Sequence, residues 1–220
     1  MSERRTASRR LFLKYASTAL TSGWLLARQS TAAQSSRWLA EPVETDPESG
    51  AEIFLLADDE RPCDNIYGEQ PYSSADGNRI AVRFYAYGKR DGGLSILDLS
   101  DGALHPVLTR EPRFPAFHAW GQYLFYQESS GDKLLLKRCH YQTLQREEVS
   151  ELPQQQGRFS YGTVSPDLRY YAVSVHPPTG GSKVLLMDLA TGKSRLLIER
   201  MDYHFKHEQF SHDGRNRVLI

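Results

Sequence analysis

The chain repeats itself. Tyr72-Ser73-Ser74-Ala75-Asp76-Gly77-Asn78-Arg79-Ile80-Ala81-Val82 compares with Val164-Ser165-Pro166-Asp167-Leu168-Arg169-Tyr170-Tyr171-Ala172-Val173 and with Phe210-Ser211-His212-Asp213-Gly214-Arg215 and the residues after it. A weaker copy runs from Phe117 to Tyr126. Asp76 and Asp167 are 91 residues apart, two units of about 45, and Asp167 and Asp213 are 46 apart. A second anchor keeps the same register: Leu94-Ser95-Ile96-Leu97-Asp98-Leu99-Ser100-Asp101-Gly102 returns as Val184-Leu185-Leu186-Met187-Asp188-Leu189-Ala190-Thr191-Gly192, with 90 residues between Asp98 and Asp188. The intervening copy is Leu134 to Leu144. A fixed period constrains a chain strongly, because each repeat is one supersecondary unit that buries its apolar face only against its neighbours.

Each unit reads as turn, apolar strand, turn, apolar strand, Asp-rich turn and a short last strand such as Ser194 to Ile198. Asp-Gly between apolar runs signals a hairpin, and no helical period intervenes. Four short strands in about 45 residues predict an all-β chain, a β-propeller with four-stranded blades. A β-sandwich with coincidental similarity is the alternative. The boundaries fall at 1–33 for a leader, 34–64 for a linker with an opening strand at Glu52 to Leu56, and 65–220 for a partial propeller. Its blades lie near 72–110, 117–153, 164–199 and 210–220, the last incomplete. Because 220 residues end inside an apolar strand, the expected chain is truncated after three blades and the start of a fourth.

Charge separates the leader from the body. The chain carries 27 Lys+Arg and 27 Asp+Glu. Six of the basic residues but only one acid, Glu3, lie in the first 33, so the body has a net charge of −5. A nucleic-acid binder would carry a basic excess instead. Ser8-Arg9-Arg10-Leu11-Phe12-Leu13-Lys14 resembles the twin-arginine export motif, followed by a mildly apolar run to Ala27 and a small-residue site at Thr31-Ala32-Ala33. The run is too short and polar to span a bilayer stably. The resemblance implies the periplasm or secretion, with no stable membrane anchor after cleavage; a short amphipathic helix is the alternative. Cys63 and Cys139 make no disulfide framework and are read as two separate thiols, with a bridge between them as the alternative.

The strings Ser-x-Asp-Gly and Asp-Leu-x-x-Gly, over residues 65–220, resemble the WD40-like repeats of the oligogalacturonate lyase and TolB-like propellers. That resemblance implies one of two functions. The first is metal-assisted β-elimination on uronate oligosaccharides, as in pectin degradation, with Mn²⁺ or another divalent ion held by His and Gln and an acidic oligosaccharide as partner. The second is a non-catalytic periplasmic binding or scaffold propeller with a protein partner.

The residues themselves offer a candidate rim. Arg113-Phe114, Arg158-Phe159 and His204-Phe205 recur at separations of 45 and 46, and Tyr67 takes the corresponding place in blade one. Arginine forks grip carboxylates bidentately, so Arg113, Arg158 and His204 would form an anion-binding opening. On the other reading the phenylalanines anchor the blades and the residues before them are only solvated. His118, Trp120 and Tyr161 lie near blade starts and would line the funnel. The densest polar run, Tyr203 to Asp213, puts His207 at a blade start, where His207 and Gln209 are candidate metal ligands. No nucleophile-elbow, zinc-protease or phosphate-loop motif occurs, and no catalytic residue is assigned.

Overall fold

The structure is a computed structural model that describes residues 42–54, 63–66, 72–84, 93–109, 115–117, 121–153 and 157–220. Residues 1–33, where a leader is expected, and Leu55, Leu56, Tyr67, Arg113, Phe114, His118 and Trp120 lie outside the described residues.

A small hairpin stands by itself in the first unit of the chain. It pairs β1 (Glu44–Thr45) with β2 (Glu52–Ile53). The Asp46 carboxylate accepts the backbone N–H of Ser49 at 2.9 Å, a side-chain-closed turn.

The repeats form the second unit. Blade one is an antiparallel sheet of β3 (Cys63–Asn65), β4 (Arg79–Phe84), β5 (Leu94–Asp98) and β6 (Leu104–Leu108). Blade two comprises β7 (Pro115–Phe117), β8 (Tyr123–Ser130), β9 (Lys133–His140) and β10 (Arg146–Glu151). Blade three comprises β11 (Arg158–Val164), β12 (Tyr170–His176), β13 (Ser182–Asp188) and β14 (Ser194–Arg200). A two-stranded sheet, β15 (Gln209–Phe210) with β16 (Val218–Leu219), begins a fourth.

The first strands of successive blades meet. β7 runs parallel to β11, with Ala116 opposite Gly162 and Phe117 opposite Thr163, which joins blades two and three edge to edge. The next step continues through a hydrogen bond from Phe210 N–H to Thr163 Oγ1, at 3.4 Å. Parallel first strands are therefore innermost, and each blade fans outward from them. The repeated turn lies between the first and second strands, so blade three opens at Arg158, ahead of the repeat boundary at Val164. The Ser-x-Asp motif lies in that turn, so its spacing marks the turn and not the blade's first residue.

Both anchors are backbone-closing devices. Ser74, Ser165 and Ser211 donate their hydroxyls to Asp76, Asp167 and Asp213 at 2.5, 2.5 and 2.6 Å. Each Asp also accepts the backbone N–H two residues on, at 3.1 Å in all three copies. At the second anchor, Asp188 accepts the N–H groups of Ala190 and Thr191, both at 3.0 Å. His140 stands in for that aspartate in blade two, its Nδ1 accepting Gln142 and Thr143 N–H at 3.1 and 3.2 Å.

The core lies between blades, which explains the uninterrupted apolar strands. Along β8, Leu124 and Tyr126 pack with Ile66, Leu94, Ile96 and Val107 of blade one. Phe125 between them turns to Val164, Tyr171, Val173 and Val175 of blade three. Cys139 is a buried thiol, raised to about 11 by burial, and not half of a bridge. No described helix is long and apolar enough to cross a membrane.

Candidate anion-binding site

A basic cluster gathers where β11 begins. Arg158, the first residue of β11, pairs in register with His176, the last of β12. The segment leading to β15 passes the same place. In it Phe205 is buried, and His204 and Lys206 on either side are exposed. His204 Nδ1 lies 3.3 Å from His176 Nδ1, and the two rings are 5.3 Å apart at 39°. Burial holds the His176 imidazole below its ordinary proton affinity, and the nearby charges of His204, Lys206 and Arg158 push in the same direction. A backbone hydrogen bond at Gly181 opposes them.

Of the three residues that recur at this spacing, Arg158 and His204 both lie against His176. The burial pattern of the Arg-Phe and His-Phe pairs is that of a blade anchor followed back to a solvated residue. Phe159 and Phe205 are buried anchors, and the residue before each is exposed at the rim. His176 is not marked by the repeat because it ends an apolar strand, three residues beyond the repeated stretch. The register partner of Arg158 was the signal that could have found it.

A buried polar layer lies beneath. Arg83, Gln127 and Ser174 occupy equivalent places on the second strands of the three blades. Arg83 Nη1 donates to Tyr161 Oη at 3.1 Å and faces Asp64 at 3.6 Å. Gln127 Nε2 donates to Tyr171 Oη at 2.8 Å and to Ser160 O at 3.2 Å. Ser174 Oγ donates to Glu208 Oε1. Each polar group reaches a later blade. Tyr161 sits in the bulge that shifts register between Phe159 and Gly162. His207, 46 residues on, is half-buried in the left-handed region with φ 67°. Bulges and such backbone recur where a strand re-aims a side chain.

Metal ligation finds less support. Among the described residues no three His, Cys, Asp or Glu side chains converge on a common point. His207 and Gln209 are not joined there by further donors of those types. The close imidazole pair of His176 and His204 is flanked by Arg158 and Lys206, which favours an anion over a cation. The described residues therefore do not fit a metal centre, and no chemical step is derived through one.

Four-stranded antiparallel blades fanned about parallel innermost strands define the chain as a β-propeller. No protein-family model and no curated protein matches it. Among solved structures it is similar to an oligogalacturonate lyase in complex with manganese, at 17% identity and a TM-score of 0.56 over 76% of this chain and 48% of that one. It is also similar to an oligogalacturonate lyase from Vibrio parahaemolyticus, at 12% identity and 0.54 over the same shares. A TolB-type protein from Agrobacterium tumefaciens aligns at 15% identity and 0.48, over 71% of this chain and 56% of that one. The chain spans about half the length of the lyases it matches. The likeness to the two lyases supports the fold alone, and a propeller hosts many unrelated functions.

Proposed function

We propose that this propeller binds the carboxylates of uronate oligosaccharides and serves β-elimination of the oligogalacturonate lyase type in the periplasm or outside the cell. The observation that carries the reading is the cluster of Arg158, His176, His204 and Lys206 at one blade rim. A guanidinium fork and imidazoles in one place suit a planar carboxylate, and local charge of this kind offsets the acidic body. The two lyases among the structural neighbours support the substrate class.

The chemistry assigned to the cluster is electrostatic. Cations around the C6 carboxylate would acidify the neighbouring C5–H and stabilise the enolate-like charge that develops when a base removes that proton. The C4–O bond then breaks with its electron pair on the departing oxygen, and a C4–C5 double bond remains.

Calorimetric titration with trigalacturonate tests the binding step. The paired change Arg158→Ala with His204→Ala should weaken affinity about tenfold or more, the loss expected for charge-assisted hydrogen bonds. Unchanged affinity overturns the assignment. Ultraviolet absorbance of the unsaturated product, followed with added Mn²⁺, tests elimination. Binding without product would leave a non-catalytic binding propeller.

A further inference from the structure

We infer that the His176–His204 pair couples anion capture at this rim to the uptake of one proton. The inference rests on the anion-binding reading above and names how that site is regulated. Its basis is geometric. The two Nδ1 atoms face each other at 3.3 Å. In the unliganded chain only one hydrogen fits between them, so one ring donates and the other accepts. A carboxylate or sulfate arriving there accepts from both rings, which requires Nδ1–H on each. The accepting ring then takes up a proton at Nδ1, rather than moving its own over from Nε2, and the anion's charge stabilises the proton gained.

The surroundings disfavour a proton on His176 in the unliganded chain. The charged groups acting on His176 are Arg158 on β11, and His204 and Lys206 on the segment before β15, all basic. Burial acts in the same direction and is the largest cause. Among the acids on these elements, Glu208 is buried against Ser174 on β12, and two others are held in ion pairs. Asp202 is held by Arg200 at 2.9 Å. Glu199 is held by Lys183 at 3.0 Å, where Lys183 is the register partner of Val175. The backbone bond at Gly181 favours the protonated His176 ring, so the added proton has a place to stay. An incoming anion reverses the unfavourable balance of like charges. Imidazole titrates near neutrality, so the coupling falls in the physiological range.

The experiment is calorimetry on the full chain near pH 7, in two buffers of different ionisation enthalpy. Trigalacturonate is the first probe and inorganic sulfate, which does not titrate there, is the second. About one proton should be taken up per bound anion, and affinity should fall about tenfold per pH unit above the titration of the pair. The His176→Asn variant should bind more weakly and lose the uptake. Anion binding with no proton uptake, as a tautomer exchange would give, overturns the inference and leaves the uronate reading standing. Sulfate bound with uptake but no trigalacturonate bound supports the coupling and overturns the uronate reading. Failure of both anions to bind overturns both.

Discussion

Glu208 is a residue-scale oddity. Its side chain is 1% exposed, and one carboxylate oxygen has no hydrogen-bond partner while the other accepts Ser174. Burial lifts its pKa from 4.5 to about 7, against a backbone hydrogen bond that lowers it. The folded state therefore holds this proton more tightly than the unfolded chain does. Its contribution is complete below pH 4.5, where both states are protonated, and is lost as pH rises to about 7. The total is on the order of 3 kcal/mol. Asp76 shifts the opposite way. Ser74 and Asn78 hold its carboxyl low, so its contribution is lost only as the solution becomes acidic. Chemical denaturation across this range should show stability falling between mildly acidic and neutral pH. Glu208→Gln should flatten that fall, and an equal slope in the variant would contradict the assignment.

At the scale of elements, the turns explain both how the repeat is read and where it is broken. Ser-x-Asp-Gly needs a left-handed fourth residue, and Gly77 and Gly214 supply it at φ 73° and 70°. Blade three places Leu168 there at φ 60°, and blade two places Leu144 where Gly192 stands in blade three, at φ 59°. A non-glycine residue in this region is strained by about 1 kcal/mol. Both leucines pack against an interblade core, which offsets the strain. Leu168→Ala keeps the strained backbone and loses the packing, whereas Leu168→Gly loses the packing and relieves the strain. Thermal melts should therefore rank Leu168→Gly above Leu168→Ala by up to about 1 kcal/mol, the reverse of the usual order. The opposite ranking would show that the leucine bears no backbone strain.

Across the whole molecule, stability comes from contacts between blades. Gln142 Nε2 donates to Asp76 at 3.0 Å, and Asn216 Nδ2 donates to Asp167 at 3.1 Å, so each turn carboxylate also clasps a later blade. Arg79 reaches from blade one to the carbonyls of Tyr141 and Gln142 at 2.6 and 2.9 Å, while its Nε binds Asp98 at 2.7 Å. Gly162 marks the tightest point. A Cβ there would run into the ring of Tyr171, itself fully buried and hydrogen-bonded to Gln127 of the preceding blade. Gly162→Ala should cost about 1–3 kcal/mol through overpacking and should loosen blade two against blade three together. Hydrogen exchange would register this as lost protection in β8 and β12; loss in β12 alone would mean that the blades are not coupled here.

The sequence by itself determined the propeller architecture and its period. The paired Ser–Asp and Asp–Gly turns close through bonds between residues two to five apart, and such local chemistry survives in a linear pattern. Period and chemistry together also placed Arg158 and His204 at matching blade positions. The tertiary structure decided what those positions touch. His176 joins the rim only because β11 and β12 pair with Arg158 opposite it. Glu208 is buried only because Ser174 lies on the blade before it, 34 residues earlier. Neither Gln127 nor Tyr171 shows in the sequence that the two are partners 44 residues apart. Register and blade-to-blade packing join residues far apart in the chain, and no local propensity encodes which of them will meet.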